Sequence, residues 1–416
     1  MHQAPPKTKS RLTLYIIVAM VVGVATGYVI HENASATTIT TFSTNIKLLT
    51  TIFLRLIQMI IAPLVFSTLV VGIAKLGDLK AVGRVGGKAL LWFVTASLVS
   101  LLIGMVLVNF FKPGEGIDLS NADAGGAKDL IGKTQEFSLN KFIEHVFPKS
   151  VFEAMAANEI LQIVVFSIFF GVATAALGDY GKIVVKGLEA VSHVILKMVN
   201  YVMSFAPLGV FGAISAVIAT KGLGVFYFYG AYLLYFNIGI FILWALLLLV
   251  GFLILKHRLK GLLKRIAQPL LIAFSTTSSE AVFPKLTEEL ERFGCKDKIV
   301  AFILPLGYSF NLDGSRMYMT FASLAIAQAY GIHIDLGTQL TMLLVLMLTS
   351  KGIAGVPRAS LVVVAATCSM FNIPPEGIAL ILPIDHFCDM FRTATNVLGN
   401  ALATSVVSKW ENSLEG

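Results

Sequence analysis

Charge is what this chain lacks. Only 13% of its 416 residues are Asp, Glu, Lys or Arg, about half the share of a soluble globular domain. That excludes an ordinary soluble fold, whose surface needs charges to face water. Cysteine is scarce too: Cys295, Cys368 and Cys388 are far apart and lie in or near apolar text. Neither a disulfide framework nor a metal-ligand spacing can be read from them. No His-Glu-x-x-His occurs, and Ser278 and Ser279 have no histidine near them in sequence. These gaps argue against an intramembrane enzyme. The alternating segments of about ten residues that a barrel needs are also missing.

What is present is apolar. Hydrophobic residues make up 56% of the chain, and the mean hydropathy is +0.82. Many runs reach about 20 residues, enough to cross ~30 Å of hydrocarbon as helix. The fold class expected is an all-α membrane protein in contact with lipid. The formal charge of +8 reads as basic cytoplasmic loops, not as a nucleic-acid surface.

Lys7, Lys9 and Arg11 put residues 1–11 on the cytoplasmic side. The run from Leu12 to Ile30 is too long for a signal peptide and reads as an uncleaved first span. A second span returns through Arg55–Pro63 to Lys75, Lys80, Arg84 and Lys88, and a third runs from near Ala89 to Phe111. Residues 112–147 are the one long extramembrane stretch, expected outside. Further elements are expected near 160–177, at 206–221 and at 226–255, the last ending at Lys256–Arg265. Then the regular pattern breaks. Residues 260–292 are interrupted by Ser275-Thr-Thr-Ser278-Ser279-Glu280 and have basic residues at both ends. A segment that leaves and returns on one side is a re-entrant hairpin, with its tip inside protein or a water-filled cavity. A span at 297–330 follows, interrupted between Gly307 and Ser315. Residues 337–371 form a second interrupted segment with Gly352–Arg358 at its tip. No Lys or Arg flanks it, so it enters from outside. A last span, 376–410, returns to the cytoplasm, which puts both termini there.

Each hairpin precedes the same short pattern: Asn311-Leu-Asp313-Gly314-Ser315 and Asn396-Val-Leu-Gly399-Asn400. The second half is therefore an inverted repeat with broken helices, the pattern of secondary transporters. The polar residues concentrate after Asp385. At 100° per residue, Asp385, Asp389, Arg392, Thr393, Asn396 and Asn400 share about a quarter of the helix circumference. Each Asp or Arg at mid-bilayer costs about 2.5–3.5 kcal/mol on insertion scales, so the stripe marks a site. Blander readings remain beside it. Asp389 and Arg392, three apart, can simply neutralise each other. Asp313 can pair structurally with Arg316, the Ser-rich tip can be a solvated loop, and His386 can be a packing residue. Glu280 and Arg358 at the two tips are either solvated, or they gate the site or carry a proton.

At Asn311–Ser315, Gly355-Val-Pro357, Asp389–Asn396, Arg55–Pro63 and Ala206–Phe211 the chain resembles the dicarboxylate/amino acid:cation symporter family. It looks most like the bacterial proton/glutamate symporters within it. The resemblance implies eight transmembrane helices plus two re-entrant helical hairpins in an elevator-type glutamate transporter fold. It implies a homotrimer with a scaffold of residues 12–75 and 148–220. The moving transport domain would comprise 84–111, 224–256 and 258–410. It implies that Arg392 grips the substrate's side-chain carboxylate, a match for the guanidinium fork, and that Asp389 holds its amino group. Thr393 and Asn396 would be further contacts, as would Ser278, Ser279, Ser315, Val356 and Ser360. Having both Asp389 and Arg392 favours L-glutamate or L-aspartate over a C4-dicarboxylate, which has no amino group.

The departures bear on the coupling cation. Sodium-coupled members have Asp where this chain has Asn400. They have Tyr and Thr where it has Phe93 and Ala96, although Ser97 is kept. Hard cations want several oxygen ligands, so protons are favoured over sodium. The residues implicated are Glu280, Ser309, Asn311, Asp313, Asp385 and Asn400, as proton carriers or degenerate sodium ligands. The proton-carrying glutamate of vertebrate members is Met319 here. Two arginines of other members are Thr277 and Met390. No organic cofactor or structural metal is expected. The leading reading is a proton-coupled importer of acidic amino acids in a bacterial inner membrane. The alternatives are a sodium-coupled acidic amino acid symporter and a proton/C4-dicarboxylate symporter.

Overall fold

The computed structural model describes residues 12–76, 79–115, 143, 146–223, 229–350 and 359–415. The N-terminal segment 1–11, most of the expected outer loop and the second hairpin tip, with Val356 and Arg358, lie outside the described residues. Among the described residues the regular structure is helical, with one isolated bridge between Cys295 and Leu414. Apolar text folds this way in a bilayer because a helix satisfies its backbone groups internally.

The first helices are α1 (Leu12–Asn33), α2 (Ala36–Leu76) and α3 (Leu79–Phe111). The third span thus begins well before Ala89. Lys80, Arg84 and Lys88 are good helix formers, and two of them are anchored. Arg84 Nη2 lies 2.9 Å and Lys88 Nζ 2.6 Å from the Glu411 carboxylate. The Arg84 hydrogen bond holds the Glu411 carboxyl below its usual range. Next come α4 (Val151–Ala156), α5 (Ile160–Ala176), α6 (Asp179–Met203), α7 (Ala206–Lys221) and α8 (Gly230–Leu255). Pro207 opens α7, where its missing N–H costs nothing. The path from α6 into α7 bends by 49°.

The first hairpin is α9 (Arg258–Thr276), a short 3-10 turn Glu280–Val282 and α10 (Phe283–Phe293). Its tip turns on Thr277 in the left-handed region, φ 52°. The interrupted span is α11 (Asp297–Phe310) and α12 (Asp313–Ala329). Its break is only Asn311–Leu312, shorter than the Gly307–Ser315 interval, because Asn311 N still reaches Gly307 O at 2.7 Å. The second hairpin has arms α13 (Leu336–Thr349) and α14 (Ala359–Met370). The expected last span of 376–410 is two pieces, α15 (Ile378–Ile381) and α16 (Asp385–Trp410). Pro383, which lacks an N–H, separates them. The polar stripe therefore starts at the first residue of α16.

α1, α2, α5, α6 and α7 pack on one another. α3 packs on α8, α12 and α13, while α16 sits among α8, α9, α11 and α12. The two groups meet where α11 lies against α2 and α5, and α9 against α7. α12 and α16 are buried along nearly their whole length. By contrast Leu14, Val21, Leu91, Phe110, Phe241 and Leu253 are exposed apolar side chains on outer helices, as a lipid-facing surface requires. Among the described residues, four helices are long and apolar enough to cross a membrane, or five if the bent pair α6–α7 is one span. The broken, polar elements of the second half do not meet that test alone. The protein is a multi-pass membrane protein.

Candidate functional site

The stripe on α16 folds as the spacing predicts, and its charges are already engaged. Arg392 Nε donates to Asp389 Oδ1 at 2.7 Å, and Nη1 donates to Asp385 Oδ1 at 3.0 Å. Thr393 Oγ1 donates to the same Asp389 oxygen at 2.9 Å. Tyr318, on the buried helix α12, donates its hydroxyl to Asp385 Oδ1 at 2.9 Å. Its ring lies 4.5 Å from Arg392 Cζ, a cation–π contact. The side chains of Arg392 and Asp385 are each 3% exposed, against 22% for Asp389. The accessible face of the cluster is therefore the Asp389 side. With both carboxylates ionised, the cluster carries a formal charge of minus one.

The two Asn-x-x-Gly copies meet in space. Asn396 Nδ2 donates to Ser315 Oγ at 2.9 Å, and Ser315 N donates to Asn396 Oδ1 at 3.2 Å. Asn311 Nδ2 donates to Asn400 Oδ1 at 3.2 Å. The glycines let the two helices approach this closely. A Cβ on Gly314 would lie 2.3 Å from Arg392 O, and one on Gly399 would lie 2.3 Å from Asp313 Oδ2. Asp313 and Asn311 are fully buried. Neither Asp313 carboxylate oxygen has a hydrogen-bond partner among the described residues.

The structure thus brings together Asp385, Asp389, Arg392 and Thr393, and beside them Ser315, Asn396, Asn311, Asn400 and Asp313. Ser309 and Ser360 are buried as well, on α11 and α14. The first hairpin tip stands apart in its bonding. Ser278 Oγ accepts from Ala281 N at 3.2 Å, and the Ser279 carbonyl accepts from Tyr308 Oη at 2.9 Å. Glu280 is half-buried in the 3-10 turn. Val356 lies outside the described residues. Sequence reasoning missed Tyr318, Tyr308 and Trp244, whose Nε1 donates to Thr395 Oγ1 at 2.8 Å. A Tyr three residues after Ser315, between Met317 and Met319, was the available signal for Tyr318.

The sequence profile of the sodium:dicarboxylate symporter family matches residues 12–410. The chain is 37% identical to a proton/sodium-glutamate symport protein of Geobacillus stearothermophilus, covering 97% of this chain and 95% of that one. It is 38% identical to a C4-dicarboxylate transport protein of Bacillus subtilis (strain 168), covering 98% and 96%. It is 40% identical to a C4-dicarboxylate transport protein of Laribacter hongkongensis (strain HLHK9), covering 98% and 91%. With a family match over residues 12–410 and relatives of 37–40% identity along nearly the whole chain, the chain belongs to the sodium:dicarboxylate symporter family and is a secondary transporter, not an enzyme.

Proposed function

We propose that the protein imports acidic amino acids, L-glutamate or L-aspartate, together with protons across a bacterial inner membrane. The observation that carries this is Asp389 bonded to Arg392 at 2.7 Å on the open side of the cluster. A substrate side-chain carboxylate takes the Arg392 fork, and its ammonium takes the Asp389 carboxylate thus released. Thr393 and Asn396 then face its other end. A C4-dicarboxylate has no cation to offer Asp389 and would leave that half-buried carboxylate with the Thr393 hydroxyl but no opposite charge.

The same geometry supports proton coupling. Arg392 is shared by two carboxylates, so an anionic substrate meets a cluster of net charge minus one. A proton on Asp385 frees Nη1 and brings the cluster to neutrality before the anion arrives. Replacement of a coordinating carboxylate by Asn400 points the same way, because hard cations prefer charged oxygen ligands. We further propose that α1, α2 and α4–α7 form the scaffold of a homotrimer. In this reading α3 and α8–α16 form the domain that slides as an elevator, and both termini are cytoplasmic. Ser278 and Ser279 of the expected site would close over the substrate from the first hairpin tip.

Uptake into proteoliposomes decides the matter. Glutamate should accumulate under an inward pH gradient without sodium, and aspartate should compete better than succinate. Asp385→Asn should bind glutamate yet lose the dependence of uptake on the pH gradient. Uptake that needs sodium and ignores pH would overturn the coupling reading. Succinate competing as well as aspartate would favour the second reading, a C4-dicarboxylate symporter, which two of the relatives above support by name.

A further inference from the structure

One buried charge has no part in the site just described. Arg316, on the first turn of α12, is fully buried. Its guanidinium lies where three elements converge. Nη1 donates to the Phe310 carbonyl at 2.9 Å and to the Ser97 hydroxyl of α3. Nε donates to Ser350 Oγ at 3.3 Å. Phe310 is the last residue of α11, and Ser350 caps the C-terminus of α13. Two helix C-termini, each carrying partial negative charge, therefore point at one place inside the protein. The Asp313 carboxylate lies three residues away on the same helix. Its oxygens have no hydrogen-bond partner among the described residues, and the same holds for Nη2 of Arg316.

The surroundings are a carbonyl, two hydroxyls, two negative helix ends and a nearby carboxylate. That is an oxygen set suited to a small hard cation, and it is occupied by the protein's own side chain. We propose that Arg316 is a resident cation: its guanidinium permanently fills an oxygen-lined cation site at the break between α11 and α12. The consequence follows from covalency. Arginine does not lose its proton in a protein, and a tethered charge cannot be released on either side of the membrane. This place therefore supplies the positive charge that holds α3, the helix break and the root of the second hairpin together. It contributes nothing to the ion gradient that drives uptake. Arg316 is a specificity-determining residue for the coupling cation, acting on the site without touching substrate. The inference rests on the family assignment alone, not on the glutamate or proton reading.

The test uses purified full-length protein without substrate, so that it stays separate from any uptake assay. Thermal unfolding is followed in sodium chloride, in choline chloride, and in choline chloride with millimolar guanidinium chloride. Wild type should unfold at the same temperature in sodium and in choline. Arg316→Ala vacates the oxygens, so sodium should raise its unfolding temperature by about 3 °C or more, saturably. Low guanidinium should do the same, replacing the missing group. A folded Arg316→Ala protein indifferent to both ions would overturn the proposal, as would a wild type with the same sodium response. Should Arg316→Ala yield no folded protein, Arg316→Lys and Arg316→Gln decide. Lys keeps a tethered charge and should stay indifferent to sodium, whereas Gln should be stabilised by it. Lys and Gln variants that respond alike would overturn the proposal.

Discussion

At the scale of single residues, the proposed site is a competition for one guanidinium. Arg392 is held at 3.0 Å by Asp385 and at 2.7 Å by Asp389. On the proposed reading, a substrate carboxylate has to displace at least one of them. Hydrogen bonds to charged groups are worth about 1.5–3 kcal/mol each, so the exchange is nearly balanced, as a carrier that must also release its cargo requires. Substitutions at the two positions should then separate by substrate. Arg392→Cys removes the fork and leaves the buried Asp385 and the half-buried Asp389 carboxylates without their shared cation. Glutamate affinity should fall about 100-fold or more, and small neutral amino acids become admissible. Asp389→Ser keeps the fork and removes the partner for an ammonium. It should cost glutamate about tenfold or more while leaving succinate unharmed or improved. Competition against substrate-induced thermal stabilisation measures both. Unchanged glutamate affinity in either variant would remove that residue from the site.

At the scale of elements, periodicity could show everything that lies along one helix. The stripe from Asp385 to Asn400 follows from residue spacing alone, and the hairpins follow from polar interruptions flanked by like-signed ends. The pairing of the two Asn-x-x-Gly copies was visible as a repeat, although not as the Asn311–Asn400 and Ser315–Asn396 bonds it becomes. What stayed hidden arrives from a second element. Tyr318 reaches Asp385 across 67 positions of chain, and Arg316 reaches Ser97 across 219. No local pattern encodes such contacts, because tertiary packing alone makes them. Boundaries were misjudged where charge continues a helix, as at Leu79–Lys88, or where one proline stops it, as at Pro383. The first hairpin illustrates the point. Its tip was legible, but its anchor was not: Tyr308 Oη on α11 donates to the Ser279 carbonyl at 2.9 Å. Tyr308→Phe keeps the ring against Phe283, 5.0 Å between centroids, and deletes only that bond. Stability should fall by about 1 kcal/mol, and backbone exchange should quicken at residues 277–282 with little change elsewhere. Hydrogen exchange unchanged at the tip would show that the bond does not hold the hairpin.

At the scale of the whole molecule, the packing falls into two groups of helices whose shared face runs between α2 and α11. An elevator reading requires that face to slide, and a fixed bond across it must stop transport without disturbing the site. The geometry offers such a bond. A Cβ built on Gly72 of α2 lies 3.3 Å from Ala301 Cβ of α11. A disulfide needs about 3.5–4.5 Å between Cβ atoms, within the few tenths of an ångström that side chains and backbone give. Gly72→Cys with Ala301→Cys, in a background where Cys295, Cys368 and Cys388 are replaced by Ala, should form that bond under mild oxidant. Loss of both free thiols would register it. Uptake should then stop and return on reduction. Substrate should still stabilise the oxidised protein against heat, because Asp389 and Arg392 lie on α16, which carries neither bridged residue. Oxidised protein that has lost its thiols yet transports at the reduced rate would mean that α2 and α11 travel together. The division into a still scaffold and a moving domain would then have to be drawn elsewhere.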